Sequence, residues 1–127
     1  MDTILPETDS PSASQVGVDQ TIDTIVGNVY SEEAQQDYQQ KFSSLSEYLT
    51  NENFSNANED GKLAILKKLE QSNEEARQAF FNIKEQTISY YLTSEEIGEK
   101  FLNYLPVQGA YEPCIDLASV GGKIWSL

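Results

Sequence analysis

The fold is decided by the segment EEARQAFFNIKEQTISYYL, residues 74–92, because a helix of this sequence is apolar on more than one face. Helical spacing gathers one inner set of side chains: Ala76, Phe80, Ile83, Thr87 and either Tyr90 or Tyr91. Phe81 and Ile88 extend the apolar surface beyond that set. A helix that is apolar all round is covered on several sides. We therefore expect this segment to be the central helix, with Ser72 able to cap it.

Three helices are predicted ahead of the central one. The first lies within residues 17–30, where apolar side chains fit one helical face: Val18, Ile22, Ile25, Val26 and Val29. The second follows an N-cap at Ser31, and its apolar stripe is Tyr38, Phe42, Leu45 and Leu49. A polar loop with Phe54 as a core anchor leads to the third helix, which begins near Asn58 or Asp60 and buries Leu63, Leu66 and Leu69.

A capping box at Thr93-Ser94-Glu95-Glu96, with Thr93 as the cap, opens a short fifth helix. Pro106 ends that helix. Residues beyond it show no apolar period, and we expect their apolar side chains to anchor an irregular arm: Ile115, Leu117, Val120, Ile124 and Trp125. The sequence thus predicts an all-α fold, with about five helices in a compact bundle and an irregular C-terminal arm, as a single domain over residues 1–127.

Acidic residues dominate the charge, with 21 Asp and Glu against 8 Lys and Arg, so the net charge is −13. Such a surface repels nucleic-acid backbones and anionic membranes, and we expect neither as a partner. No apolar run approaches the ~18–20 residues that span a bilayer, so we expect no membrane insertion. Residues 1–6 read as the end of a helix, and we therefore expect an export leader to have been removed ahead of Met1.

The chain lacks the usual catalytic groups, because it has no His and only one Cys. The commonest general base and metal ligand is therefore missing, and no Cys–His pair can form. Adjacent Glu pairs at positions 32–33, 74–75 and 95–96 fall in the first turns of predicted helices, where the helix dipole explains them. Residues 56–61 lack the residue order of a calcium loop. We expect Cys114 to be a buried structural thiol, and no catalytic, metal or cofactor site in this chain.

The order of motifs resembles the gluconate 2-dehydrogenase subunit 3 family. The N-terminal signature reads Ile4-Leu5-Pro6-Glu7-Thr8-Asp9-Ser10-Pro11-Ser12-Ala13, with Ser12 where the family usually has glycine, and Gly17-Val18 follows. Next come Ile65-Leu66-Lys67-Lys68-Leu69, Phe80-Phe81 and Tyr90-Tyr91-Leu92-Thr93-Ser94-Glu95. A segment from Pro106 to Cys114 and a late Trp125 complete the series. The resemblance therefore covers nearly the whole chain.

The resemblance implies a non-catalytic, exported small subunit of a flavin-dependent sugar or sugar-acid dehydrogenase. In that picture a flavoprotein large subunit holds FAD and performs the oxidation, and a multihaem cytochrome c subunit often accompanies it. The small subunit binds no cofactor itself. It supports the folding of the flavoprotein and its export to the periplasm through a twin-arginine leader.

Irregular segments on a rigid frame commonly carry binding residues. The two proline-bearing segments at the ends of the chain are therefore the predicted partner contacts, through Pro6, Thr8, Asp9, Pro11, Pro106, Gly109, Tyr111 and Cys114. Two other classes of function stay open. A free-standing ligand- or protein-binding domain of the periplasm would show a closed apolar pocket with a few convergent polar groups. An enzyme would need a carboxylate-only site or a recruited metal.

Overall fold

A computed structural model describes residues 1–72, 75–103, 109 and 114–123. These residues form five α-helices: α1 (Val18–Asn28), α2 (Glu32–Asn51), α3 (Glu59–Glu70), α4 (Glu75–Leu92) and α5 (Glu95–Phe101). Two short 3₁₀ helices accompany them, at Phe54–Asn56 and Leu117–Val120. No strand occurs in this described part of the chain. The predicted all-α fold with five helices is confirmed.

Helix α4 is the centre of the arrangement, because α1, α2, α3 and α5 all pack against it. Its buried side chains share one face at helical spacing: Ala76, Ala79, Phe80, Thr87 and Tyr91. Phe81 and Ile88, which extend the apolar surface beyond that face, are 36% and 37% exposed, so the expected cover on that side is missing. The predicted central position of the helix is confirmed by its four helical neighbours.

Two clusters of buried side chains are joined through α4. One cluster combines the N-terminal loop, α1, the end of α4 and the α5 region: Ala13, Val18, Ile22, Tyr91, Ile97 and Leu102. The other combines α2, α3 and the start of α4: Leu45, Leu66, Leu69, Ala76, Ala79 and Phe80. Phe54 packs against this second cluster, as its predicted role of core anchor requires. Helix α4 thus holds the N-terminal loop at one end and α2 and α3 at the other.

The starts of the first three helices follow local chemistry. Gly17 precedes α1 with φ +73°, a left-handed conformation that glycine adopts without steric cost. Ser31 Oγ accepts a hydrogen bond from the Ala34 N–H at 3.3 Å, and Asn58 Oδ1 accepts one from the Gly61 N–H at 2.9 Å. Both side chains satisfy amide donors that a helix leaves free in its first turn. The predicted Ser31 cap of α2 is confirmed, and α3 begins where the sequence predicts, next to Asn58.

The predicted capping box at Thr93 is wrong. Thr93 Oγ1 donates to the Ser89 carbonyl at 2.9 Å, within the last turn of α4. Ser94 is the residue that precedes α5, and its backbone is extended there. The cap position of α5 is therefore one residue later than predicted, and no side-chain hydrogen bond caps this helix.

On the first three helices and at their ends, three apolar side chains that the sequence predicts to be inward are exposed instead: Val29 at 73%, Phe42 at 52% and Leu63 at 42%. Each lies on the apolar stripe of its helix or at its end. Helices α1 and α2 pack on α4 rather than on each other, and α3 packs on α4 and the first 3₁₀ helix. The neighbours therefore cover only part of each stripe.

The start of the C-terminal arm is held by polar contacts. Asn103 Nδ2 donates to the Lys123 carbonyl, and Lys123 Nζ donates to the Lys100 carbonyl at 2.7 Å. Ile115 and Leu117 are 45% and 59% exposed, so their predicted anchoring role is wrong. The side chain of Val120 and the remaining predicted anchors, Ile124 and Trp125, lie outside the described residues.

Candidate functional site

The N-terminal proline loop is fixed to the central helix by one hydroxyl. Tyr91 Oη lies 2.8 Å from the Pro11 carbonyl oxygen and 2.8 Å from Ser10 Oγ. A carbonyl can only accept, so the single Tyr91 proton goes to Pro11, and Ser10 can donate to Tyr91 in return. Because Tyr91 itself is only 8% exposed, these hydrogen bonds satisfy a polar atom at the edge of the core.

A second tie closes the loop onto the first residues of the chain. The Asp2 carboxylate accepts hydrogen bonds from the Ser14 backbone N–H at 3.0 Å and from Ser14 Oγ at 2.6 Å. These bonds favour the charged form, so the Ser14 hydroxyl lowers the pKa of Asp2. The Ala13 N–H also donates to the Leu5 carbonyl at 3.1 Å. Residues 2–5 and 13–14 are therefore joined across the base of the loop.

A third tie runs through the Gln15 side chain. Its Oε1 accepts a hydrogen bond from the Ser12 N–H at 2.7 Å, and its Nε2 donates to Glu7 Oε2 at 3.1 Å. Ser12 is 6% exposed and Ala13 is completely buried. The loop therefore has a packed inner side and a fixed outer side, although the sequence has no helical or strand period there.

The eight predicted contact residues divide into three groups. Pro6, Thr8 and Asp9 are exposed on the outer side of the loop, whereas Pro11 is half-buried and its carbonyl is bonded to Tyr91. In the C-terminal segment Gly109 and Cys114 are exposed. Pro106 and Tyr111 lie outside the described residues.

The expectation that Cys114 is a buried thiol is wrong, because the side chain is exposed. The residues around it are also exposed from Ile115 to Ser119. Cys114 thus stays a predicted surface contact and not a core residue.

Sequence reasoning missed an apolar groove of about 810 Å³. It is lined by the first four residues and by side chains of α1, α2, α3 and α4, together with Phe54. The buried Leu45, Leu66 and Phe80 form its floor, and the exposed Phe42 stands at its edge. The groove exists because α1 and α2 rest side by side on α4. The helical period of α2 identifies its apolar stripe, which includes Phe42. It cannot show that the neighbouring helices leave a groove beside that stripe.

A second, more polar cleft of about 450 Å³ lies between α2 and α4. Gln86 bridges two tyrosines there, because Tyr38 Oη donates to Gln86 Oε1 at 3.1 Å and Gln86 Nε2 donates to Tyr30 Oη at 3.1 Å. The two rings meet edge to face with centroids 6.2 Å apart. Burial raises the pKa of Tyr38. This network ties the turn between α1 and α2 to the central helix.

The acidic side chains are arranged as helix-end charges. Glu32, Glu33, Glu95 and Glu96 lie in the first turns of α2 and α5, as predicted from the helix dipole. Within the described ranges, no three His, Cys, Asp or Glu side chains are grouped so as to hold a metal ion. None of the described helices is long and apolar enough to cross a membrane. The site offers hydrogen bonding and apolar contact.

A protein-family model matches most of this sequence. Residues 1–109 match the family model described as gluconate 2-dehydrogenase subunit 3. The match spans the N-terminal loop, all five helices and the groove. Comparison with curated proteins and with solved structures gave no match.

Proposed function

Because the chain belongs to the gluconate 2-dehydrogenase subunit 3 family, we propose that it is the non-catalytic accessory subunit of a periplasmic, flavin-dependent sugar or sugar-acid dehydrogenase. Membership implies association with a gluconate dehydrogenase complex. The finer proposal is that this chain binds the flavoprotein large subunit, supports its folding and accompanies its export.

The observation that carries the proposal is the family match over residues 1–109, together with the fixed N-terminal loop. Three separate hydrogen-bonded ties hold the loop, from Asp2, Gln15 and Tyr91. Pro6, Thr8 and Asp9 are exposed on it. A surface that is already ordered loses less entropy on association. The loop therefore suits recognition by a second protein.

The cofactors of such a complex are assigned to the other subunits. Covalent c-type haem attachment uses two Cys followed by His, whereas this sequence has one Cys and no His. The glycine pattern of a dinucleotide-binding turn is also missing from the sequence. FAD accordingly belongs to the flavoprotein and haem to a cytochrome c subunit in this proposal.

The test is co-expression of the tagged chain with the flavoprotein encoded beside it. The flavoprotein is expected to be retained with the tagged chain and to carry FAD. Omission of the chain is expected to lower the amount of folded flavoprotein in the periplasm. A flavoprotein that is stable and exported alone, and that never co-purifies, would defeat the proposal.

The 810 Å³ groove favours a second candidate, a free-standing binding domain of the periplasm. A small ligand is usually enclosed over most of its surface, whereas this groove is open beside the exposed Phe42. Native mass spectrometry of the chain purified alone distinguishes the accessory subunit from the free-standing binding domain. A retained small molecule would support the second candidate, and a ligand-free chain that binds the flavoprotein would support the first.

A further inference from the structure

The groove between α1 and α2 has the form of a docking site. Its floor is made of core side chains, and its walls are the N-terminal segment with α1 on one side and α2 on the other. Phe42 projects from α2 at this groove and is 52% exposed. Large apolar surfaces that a monomer leaves uncovered commonly mark interaction sites.

The charged side chains around the groove are all acidic. Asp2, Asp19 and Asp23 line it from the N-terminal segment and α1, whereas Gln39 and Ser43 line it from α2. No Lys or Arg is among the side chains that form the groove. The α1 wall is therefore acidic and the α2 wall is polar but neutral.

Two of these carboxylates lack a counter-ion within the described chain. Asp19 and Asp23 are four residues apart on α1, and both are exposed. The five ion pairs among the described residues involve other acids: Asp37, Glu52, Glu59, Glu70 and Glu96. Like charges at this helical spacing repel each other. A basic side chain placed along this wall would remove that repulsion.

The acidic wall indicates which kind of protein segment the groove can bind. A second copy of the chain would bring a net charge of −13 towards an acidic wall, which disfavours association. Residues 104–127 contain one basic side chain, Lys123, and it donates to the Lys100 carbonyl at 2.7 Å. Neither supplies a row of cations, so the complementary charge comes from another protein.

We propose that the groove binds a segment of the flavoprotein partner that presents apolar side chains to the floor and Lys or Arg to the α1 wall. This inference rests on the proposed function, since it names the surface through which the accessory subunit holds its partner. The apolar contacts supply affinity, and the cations fix the orientation of the segment and speed its association.

The test compares variants of the full chain for binding to the co-expressed, purified flavoprotein. Phe42→Ser is expected to raise the dissociation constant by at least about tenfold, which is the effect of truncating a central apolar anchor. Its matched control is Phe81→Ser, which removes the same ring from α4 outside the groove and is expected to stay within about twofold. Circular dichroism and thermal unfolding establish that each variant is folded.

Charge reversal provides the second arm. The double variant Asp19→Lys with Asp23→Lys is expected to lower the association rate by about tenfold and to flatten its salt dependence. The matched control is Glu32→Lys with Glu33→Lys, which changes the charge equally at exposed first-turn positions of α2 outside the groove. This control is expected to keep most of the salt dependence.

The outcomes separate the two proposals. If the wild-type chain fails to bind the flavoprotein, the proposed function fails. If the wild type binds and both groove variants bind equally well, the groove inference is overturned while the function stands. Loss of self-association in Phe42→Ser, measured by sedimentation, would also overturn it by identifying a second copy as the occupant.

Discussion

The hydroxyl of Tyr91 on α4 lies 2.8 Å from the carbonyl oxygen of Pro11, 80 residues earlier in the chain. This contact joins the middle of the N-terminal loop to the helix that holds the whole bundle. It converts a proline-bearing segment without any secondary structure of its own into a fixed surface. This contact acts together with the ties from Asp2 and Gln15, and the loop that they hold exposes Pro6, Thr8 and Asp9.

Tyr91→Phe is expected to lower the free energy of unfolding by about 1–2 kcal/mol, because it leaves the Pro11 carbonyl without its donor. Denaturant unfolding measures the change. Tyr90→Phe is the matched control on the neighbouring residue and is expected to stay within about 0.5 kcal/mol of wild type. Equal stabilities of the two variants would contradict the role given to Tyr91.

Ser14→Ala is expected to raise the pKa of Asp2 towards the ordinary value of about 3.9, because the bond to the Ser14 hydroxyl now lowers it. A folded-state pKa below the unfolded one stabilises the fold at neutral pH, and this contribution is lost as the pH falls through the folded-state pKa. NMR titration of the Asp2 carboxyl carbon checks the shift.

Ser14→Ala is also expected to have a lower free energy of unfolding than wild type at neutral pH. This difference in unfolding free energy should become smaller as the pH falls. A gap that widens in acid would mean that the Asp2 contact does not favour the charged carboxylate.

Thr87→Val is expected to stabilise the protein by about 1 kcal/mol, since an unpaired buried hydroxyl costs about that much or more. Thr87 is fully buried, and its Oγ1 has no hydrogen-bond partner among the described residues. Thermal unfolding measures the change. A lower melting temperature than wild type would show that the hydroxyl is satisfied.

Leu69→Ala is expected to cost about 2–5 kcal/mol, because Leu69 is completely buried and its truncation leaves a cavity. Leu63→Ala on the same helix is expected to cost less than about 1 kcal/mol, since that side chain is 42% exposed. Unfolding in denaturant compares the pair. A larger loss of unfolding free energy at Leu63 than at Leu69 would show that Leu63 is buried, as the sequence predicts.

Much of the fold is readable from local sequence. Apolar spacing identifies the five helices, and the cap at Ser31 marks the start of α2. Apolar side chains beyond a single stripe identify α4 as central, although Phe81 and Ile88 stay exposed. These signals lie within one helix or one turn. They fail where one side chain has two local uses, as at Thr93, whose hydroxyl bonds to Ser89 and not to α5.

The site depends on contacts that no local pattern encodes. The bond from Tyr91 to Pro11 crosses 80 residues, and the groove arises from the placement of α1 and α2 on α4. A stripe shows which face of α2 is apolar but not how far its neighbours cover it, so Phe42 was expected inside and lies at the groove edge. The N-terminal signature pointed to the loop, and the ties that fix it became visible only in three dimensions.

The central claim is that this chain acts by holding a flavoprotein dehydrogenase and performs no reaction itself. The most direct measurement purifies the two proteins as a complex, separates them and assays sugar oxidation by each. The account predicts a stable complex whose oxidation resides wholly in the flavoprotein. A chain that never forms the complex, or that oxidises a sugar when purified alone, would contradict it.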